Sequence, residues 1–300
     1  MSRAFVLTIV AALAAPACMP PSWGANALLH PQRHKTDRRP PRAFDAVSFE
    51  GEGVTLVGWW LHATPAPRAT LVYLHGVADN RGSGVGIAEH FVPRGFDVVV
   101  YDSRAHGEST GDACTYGFYE KRDLGRVLDR VADGRPVVLM GTSLGGAVAL
   151  QAAAIDPRVV AVVAIAPFSD LRTAALERAP FFASRSNLDE AFRLAEAEGR
   201  FQVDAASPVA AAPSIHVPVM LIHGDEDKET PYAHSLRILP ALGGPKKLIT
   251  IRGGGHRGGL TPPTWTEVDL WIDAALTARA AAAQPESSPK SLDSAAGPKH

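Results

Sequence analysis

The chain of 300 residues is 46% hydrophobic and 20% charged, with a formal net charge of -1. That is an ordinary soluble composition, long enough for one large α/β domain or two small ones. The near-neutral balance gives no electrostatic reason for nucleic acid or an acidic membrane surface as partner, and Cys18 and Cys114 alone make no disulfide framework.

Met1-Ser2-Arg3 is a short positive start, and Ala4 to Ala17 is an apolar run broken only by Thr8 and Pro16. The run is too short to span a bilayer comfortably and small residues follow it, which is the layout of a secretory signal. Residues 1–27 are therefore read as an export leader. Two endings compete. Leu13 to Cys18 resembles a bacterial lipobox, in which Cys18 would be lipidated and would anchor the protein to a membrane, although Ala15 and Pro16 depart from that pattern. Ordinary cleavage would follow Ala15-Pro16-Ala17 or Ala25-Asn26-Ala27. Either ending places the mature protein in the bacterial envelope, periplasmic or membrane-anchored. Pro20 to Arg42 is rich in Pro, Arg and His, so residues 28–42 read as a solvated linker. Residues 279–300, alanine-rich and then rich in Ser, Pro and Lys, read as a disordered tail.

Residues 43–278 form one domain. Ala46–Phe49 and Val54–His62, separated by Glu50-Gly51-Glu52-Gly53, suit a hairpin. Short Val/Ile/Leu-rich runs follow at Thr70–Leu74, Asp97–Tyr101, Val137–Met140, Val159–Ile165, Val217–Ile222 and Lys247–Ile251. Such runs suit strands buried on both faces of a parallel sheet. Helical patterns separate them at Ile87–Pro93, Tyr119–Ala132, Leu144–Ala154, Ala233–Leu239 and Thr264–Ala280. The order predicts an α/β architecture with helices on both faces of a mostly parallel sheet. Residues 168–213 fit no strand pattern and are read as a small helical lid, with helix candidates at Leu171–Arg178 and Leu188–Glu198.

The chemistry centres on Gly141-Thr142-Ser143-Leu144-Gly145-Gly146, between an apolar strand-like run and a helix-like one. A serine on so sharp a strand-to-helix turn needs small residues two before and two after it, and Gly141 and Gly145 meet that need. With His75-Gly76, His223 to Asp227 and Gly255-His256, this segment resembles the α/β-hydrolase superfamily in its chain order of Ser, acid, His. The likeness extends over nearly the whole domain and is nearest to the branch of dienelactone hydrolases and prolyl-oligopeptidase-like serine hydrolases.

The resemblance implies the α/β-hydrolase fold and assigns roles. Ser143 is the nucleophile, His256 the base, and Asp227 the acid, because the G-x-x-D-x-x-x-P pattern lands on Gly224, Asp227 and Pro231. Asp225 is the other candidate acid, its alternative being a turn carboxylate capping nearby N–H groups. The backbone N–H groups of Val77 and Leu144 are the expected oxyanion donors. His75 braces its loop. Asp102 to Ser109 matches the family's D-x-R-G-x-G-x-S turn except that Ala105 replaces a glycine, and His106 there is structural. Phe181, Phe182, Phe192 and Phe201 either line an acyl pocket or only pack the lid.

No cofactor is implied. Asp225 to Glu229 lacks the glycine and distal glutamate of an EF-hand loop, and the 11 histidines show no H-E-x-x-H spacing. The expected activity is hydrolysis of carboxylic esters through an acyl-enzyme on Ser143. A peptidase acting on short peptides is the alternative, and a silent fold used for binding is the rival from another class. A dehalogenase would need a carboxylate where Ser143 stands.

Overall fold

A computed structural model describes residues 20–258 and 260–283. The apolar leader run, Cys18 and residues 284–300 lie outside the described residues. Helix α1 (Pro21–Leu29) comes first, and the hairpin β1 (Asp45–Glu50) and β2 (Thr55–Leu61) opens the sheet. Then β3 (Ala69–Leu74), α2 (Val85–Phe91), β4 (Phe96–Tyr101), α3 (Glu120–Val131), β5 (Val137–Thr142), α4 (Leu144–Ala153) and β6 (Val159–Ile165) alternate. The insertion carries α5 (Leu171–Arg178), α6 (Arg185–Gly199) and α7 (Pro208–Ala211). The chain closes through β7 (Val219–Gly224), α8 (Ala233–Ala241), β8 (Lys246–Ile251) and α9 (Pro262–Ala282).

The strands form one sheet in the order β1-β2-β4-β3-β5-β6-β7-β8. β1, β2 and β4 pair antiparallel, and every pair from β4–β3 onward is parallel. β3 to β7 are buried along their whole length apart from half-buried Thr142, which explains their unbroken apolar runs. Alternate side chains feed two cores. Val72, Leu74, Val137 and Leu139 pack with α3 and α4, while Leu71, Tyr73, Val138 and Met140 face α2 and α9. In α3 the apolar stripe Leu124, Val127, Leu128, Val131 supplies the buried face. β3 sends its chain to β4 on one side, and β5 sends its chain to β6 on the other. The crevice at their carboxyl ends is the topological switch point, where open α/β sheets place ligands.

The turn from β5 into α4 is set by close backbone approach. A Cβ on Gly145 would lie 2.0 Å from the Leu74 carbonyl oxygen, and one on Gly141 would lie 2.4 Å from the Gly145 carbonyl carbon. Both are impossible contacts, so α4 can start this near β3 only because these positions lack side chains.

The stretch before the sheet differs from the expectation of a linker. Residues Pro21–Leu29 form a helix with Pro21 at its first position, where the missing N–H costs nothing. Ala25 and Leu29, four apart on one face, are buried within the core that includes α6. At Gly24 a Cβ would meet the Ala191 Cβ at 3.0 Å, so the two helices touch closely. The chain beyond α1 is also tied down. The Arg33 guanidinium donates to the Ser109 and Gly111 carbonyls, and the Asn80 side chain donates to the His34 carbonyl at 3.0 Å. Cleavage after Ala27 would remove most of α1, whereas an ending at residue 17 or 18 leaves it whole. Helix α9 likewise runs to Ala282, so its last four residues, 279–282, lie within the expected tail.

Two measurements check this packing. Leu29→Ala is expected to lower stability by about 2–4 kcal/mol, because Leu29 is fully buried; a tether residue would show no change in thermal unfolding. Gly145→Ala is expected to cost about 2–3 kcal/mol by overpacking, whereas Gly125→Ala in α3, where a Cβ meets nothing within 4 Å, should gain about 0.5–1 kcal/mol.

Candidate active site

Ser143 sits at the bend between β5 and α4 with φ 54° and ψ -115°, a left-handed conformation that a residue with a side chain rarely adopts. Such strain costs about 1–3 kcal/mol and persists where the surroundings hold it. Here the Ser143 N–H donates to the Ile165 carbonyl at 2.7 Å, and its own carbonyl accepts from the Ala147 N–H at 3.0 Å. Leu144 is the first residue of α4, so its N–H has no partner within the helix and is free for an anion.

The candidate acid and base, Asp227 and His256, follow β7 and β8. His256 Nδ1 donates to Asp227 Oδ2 at 2.7 Å, which leaves Nε2 as the ring atom with basic character. The other carboxylate oxygen, Oδ1, accepts the N–H groups of Glu229 and Thr230 at 2.9 Å each. His223, fully buried, adds a second ring: its Nε2 lies 3.2 Å from Asp227 Oδ2 and donates to the Thr230 carbonyl at 2.8 Å. Its Nδ1 takes the Ser235 hydroxyl at 2.7 Å, which settles the tautomer. Burial alone would push the Asp227 carboxyl upward. The hydrogen bonds from His223, His256 and the Thr230 N–H outweigh it and hold the group well below the usual carboxylate range. Asp225 does not join this network: it is exposed, and its Oδ1 accepts the Gly253 N–H at 2.6 Å. It is the turn carboxylate of the alternative reading.

The loop after β3 carries Val77 to the same place. Gly76 packs on Ser143, where a Cβ would lie 3.6 Å from the serine Cβ, and Val77 lines the cavities on both sides of it. His75 holds this loop through both ring nitrogens: Nδ1 donates to the Gly76 carbonyl at 2.7 Å and Nε2 accepts the Ser103 N–H at 2.9 Å. Burial lowers its pKa and keeps it neutral. His106 stacks edge-on against it at 5.1 Å, and burial, helped by His75, pushes it down to about 3. Ala105 takes φ 60° at the position where a glycine was expected, so the turn keeps its course despite the added methyl. Asp102 anchors the turn, accepting the N–H groups of Arg81 at 2.6 Å and Glu108 at 2.9 Å and pairing with the Arg81 guanidinium.

Ser143 lies between two chambers of opposite character. One, about 270 Å³, is lined by Val77, Phe168, Leu171, Ala174 and Phe192. The other, about 700 Å³, is polar and is lined by His34, Arg38, Asn80, Arg178, His256 and Arg257. Arg178, at the end of α5, borders both and donates to the Glu229 carbonyl at 2.6 Å and to Thr230 Oγ1 at 2.9 Å. The lid is thus fastened to the loop that carries the acid. Of Phe181, Phe182, Phe192 and Phe201, Phe192 alone lines the apolar chamber, together with Phe168 where the insertion begins; Phe201 is buried against Phe118, and Phe181 is 98% exposed with Phe182 beside it. Among the described residues no group of three or more His, Cys, Asp or Glu side chains is gathered as a metal would need.

Sequence reasoning named Ser143, Asp227, His256, Val77 and Leu144, and the fold gathers them at the carboxyl ends of β3, β5, β7 and β8. It missed the contact of His223 with Asp227, although the four-residue spacing across one turn was a signal. It also missed Arg178, whose partners are 51 and 52 residues away.

A family model described as the alpha/beta hydrolase fold matches residues 69–188. The Bacillus subtilis (strain 168) protein YqkD is 31% identical over 204 residues, 65% of this chain, and the match spans just under two thirds of that relative at 66%. The Mus musculus protein named palmitoyl-protein thioesterase ABHD10, mitochondrial, is 28% identical over 211 residues, 62% of this chain and 68% of the relative. Among solved structures, the Pyrococcus furiosus esterase Pf2001 superposes with a TM-score of 0.66 at 21% identity, covering 82% of this chain and 98% of that one. At that identity the likeness speaks to the fold. A parallel sheet that reverses its order at β3 and bends sharply at a serine after β5 is the plan of the α/β-hydrolase fold, and the chain has that fold.

Proposed function

We propose that the protein is a serine hydrolase that cleaves carboxylic esters, thioesters included, through an acyl-enzyme on Ser143. The observation that carries this reading is the His256 Nδ1 bond to Asp227 Oδ2, made at the rim of a chamber that Ser143 also lines. In the reaction Ser143 Oγ attacks the carbonyl carbon while His256 Nε2 takes its proton. The carbonyl electrons move onto oxygen, where the N–H groups of Val77 and Leu144 receive the charge. As the bond to the leaving oxygen or sulfur breaks, His256 returns the proton to it. Water then repeats the sequence on the acyl-enzyme and releases the acid.

Asp227 fixes the ring with Nδ1 protonated and steadies the imidazolium formed in each step. Its depressed pKa keeps it ionised throughout. The apolar chamber beside Ser143 supports an acyl substrate over a peptide, since a peptidase that reads a free amino terminus needs an acidic slot there. The relative named as a thioesterase adds sulfur to the range of leaving atoms. The same proposal includes export, by a leader that ends before Pro20 so that α1 stays with the domain.

The test uses the purified full chain with p-nitrophenyl acetate, butyrate and octanoate, p-nitrophenyl thioesters and aminoacyl p-nitroanilides. Ester turnover is expected, with Ser143→Ala and Asp227→Asn each lowering kcat by about 10⁴-fold or more. Turnover of anilides alone would make the protein a peptidase. Absence of all turnover, together with no labelling of Ser143 by a fluorophosphonate probe, would leave only the silent binding fold.

A further inference from the structure

The apolar chamber is closed on one side by α1, which the catalytic residues do not need and which precedes the sheet in the chain. Gly24, Ala27 and Leu28 of this helix line the chamber together with Leu171 of α5, Phe192 of α6, Ser143 and Leu144. We infer that α1 is the acyl-chain gauge of this enzyme: it sets how long a straight acyl group can extend from Ser143, and it limits preferred substrates to medium-chain acyl esters. The inference rests on the ester-hydrolase reading above.

Three observations support a fixed wall in preference to a loose flap. Leu29, the next residue after Leu28, is fully buried, and a Cβ on Gly199 would lie 2.9 Å from its Cδ2. The last carbonyls of α1 are satisfied from one loop, since the Tyr116 hydroxyl donates to the Leu28 carbonyl at 3.0 Å and the Cys114 N–H to the Leu29 carbonyl at 2.8 Å. Just beyond, His30 reaches Glu198 of α6 at 2.8 Å and the Asp112 carbonyl at 2.6 Å. A wall held this way keeps its distance from the opposite helices.

The residues that face the cavity also decide its size. Gly24 lets α1 approach α6, since a Cβ there would meet the Ala191 Cβ at 3.0 Å, while the small side chain of Ala27 takes little of the chamber. The chamber volume is about 270 Å³. An apolar cavity of about 150 Å³ holds the six carbons of benzene, so by proportion this chamber holds about eleven carbons. Burying each further methylene is worth about fourfold in kcat/KM until the chamber is full. The optimum is therefore expected near decanoate.

The experiment measures kcat/KM for p-nitrophenyl esters from acetate to palmitate, with the full chain and with Leu28→Trp, Leu28→Ala and Ala27→Phe. Leu28 is half-buried and Ala27 exposed at the rim, so one variant fills the chamber and another narrows its mouth. The expected result is a break point at least two carbons shorter in Leu28→Trp and at least two longer in Leu28→Ala. The decanoate-to-acetate ratio should fall by at least about tenfold in Leu28→Trp, since each lost methylene removes about fourfold. General damage to the fold would lower both esters together and leave that ratio unchanged. Should Leu28→Trp fail to fold, Ala27→Phe and Leu28→Ala carry the same comparison. An unchanged break point in folded variants whose turnover still depends on Ser143 overturns the gauge and leaves the hydrolase reading standing. No turnover of any ester and no fluorophosphonate labelling overturns both.

Discussion

The structure depends first on how closely two pieces of backbone can approach. The start of α4 lies against the end of β3, with Gly145 touching the Leu74 carbonyl at a distance that leaves no room for a side chain. This contact goes with the sharp turn after β5, where Ser143 is held in a left-handed conformation. It also aims the unsatisfied N–H groups at the start of α4 toward the loop after β3, where Val77 lies. The strained serine, the anion site and the nearness of the β3 loop are consequences of one steric fact.

Electrostatics completes the site. A carboxylate with its side chain out of water is costly unless every lone pair finds a partner. Asp227 meets that demand with two backbone N–H groups on one oxygen and two imidazoles on the other. The same bonds that make the buried charge tolerable fix the tautomer of His256. Stability and catalytic orientation here have a common source, and His223 serves both without facing the substrate. Arg178 extends the network into the lid, so the helices that cover the apolar chamber are tied to the loop that bears the acid.

The legible parts of the chain share a local signature. Strands β3 to β7 announced themselves as short apolar runs because both of their faces are covered, and the hairpin by its glycine-bearing turn. The serine turn was legible because its glycines stand at fixed offsets from Ser143. Asp225 and Asp227 could be told apart only by pattern, and the distinction has a physical basis: one carboxylate faces solvent and caps a turn, the other is buried beside two histidines. Among Phe181, Phe182, Phe192 and Phe201 composition offered no such handle. Which one lines the chamber depends on the pitch of α6 against the domain, and a sequence window does not contain that angle.

By itself the sequence determined the sheet, the order of the candidate residues Ser143, Asp227 and His256 along the chain, and the tight turn at Ser143, since each follows from residues adjacent in the chain. Only the tertiary structure decided the place of residues 20–42. Their proline and arginine content suits a solvated linker, and two buried side chains in α1, Ala25 and Leu29, are too few to mark a helix without its partner surface. That surface is α6, more than 150 residues further along the chain, together with the loop at 112–116. Burial against a distant helix is a non-local contact whose free energy no local pattern reports, and it turns a linker into a wall of the site.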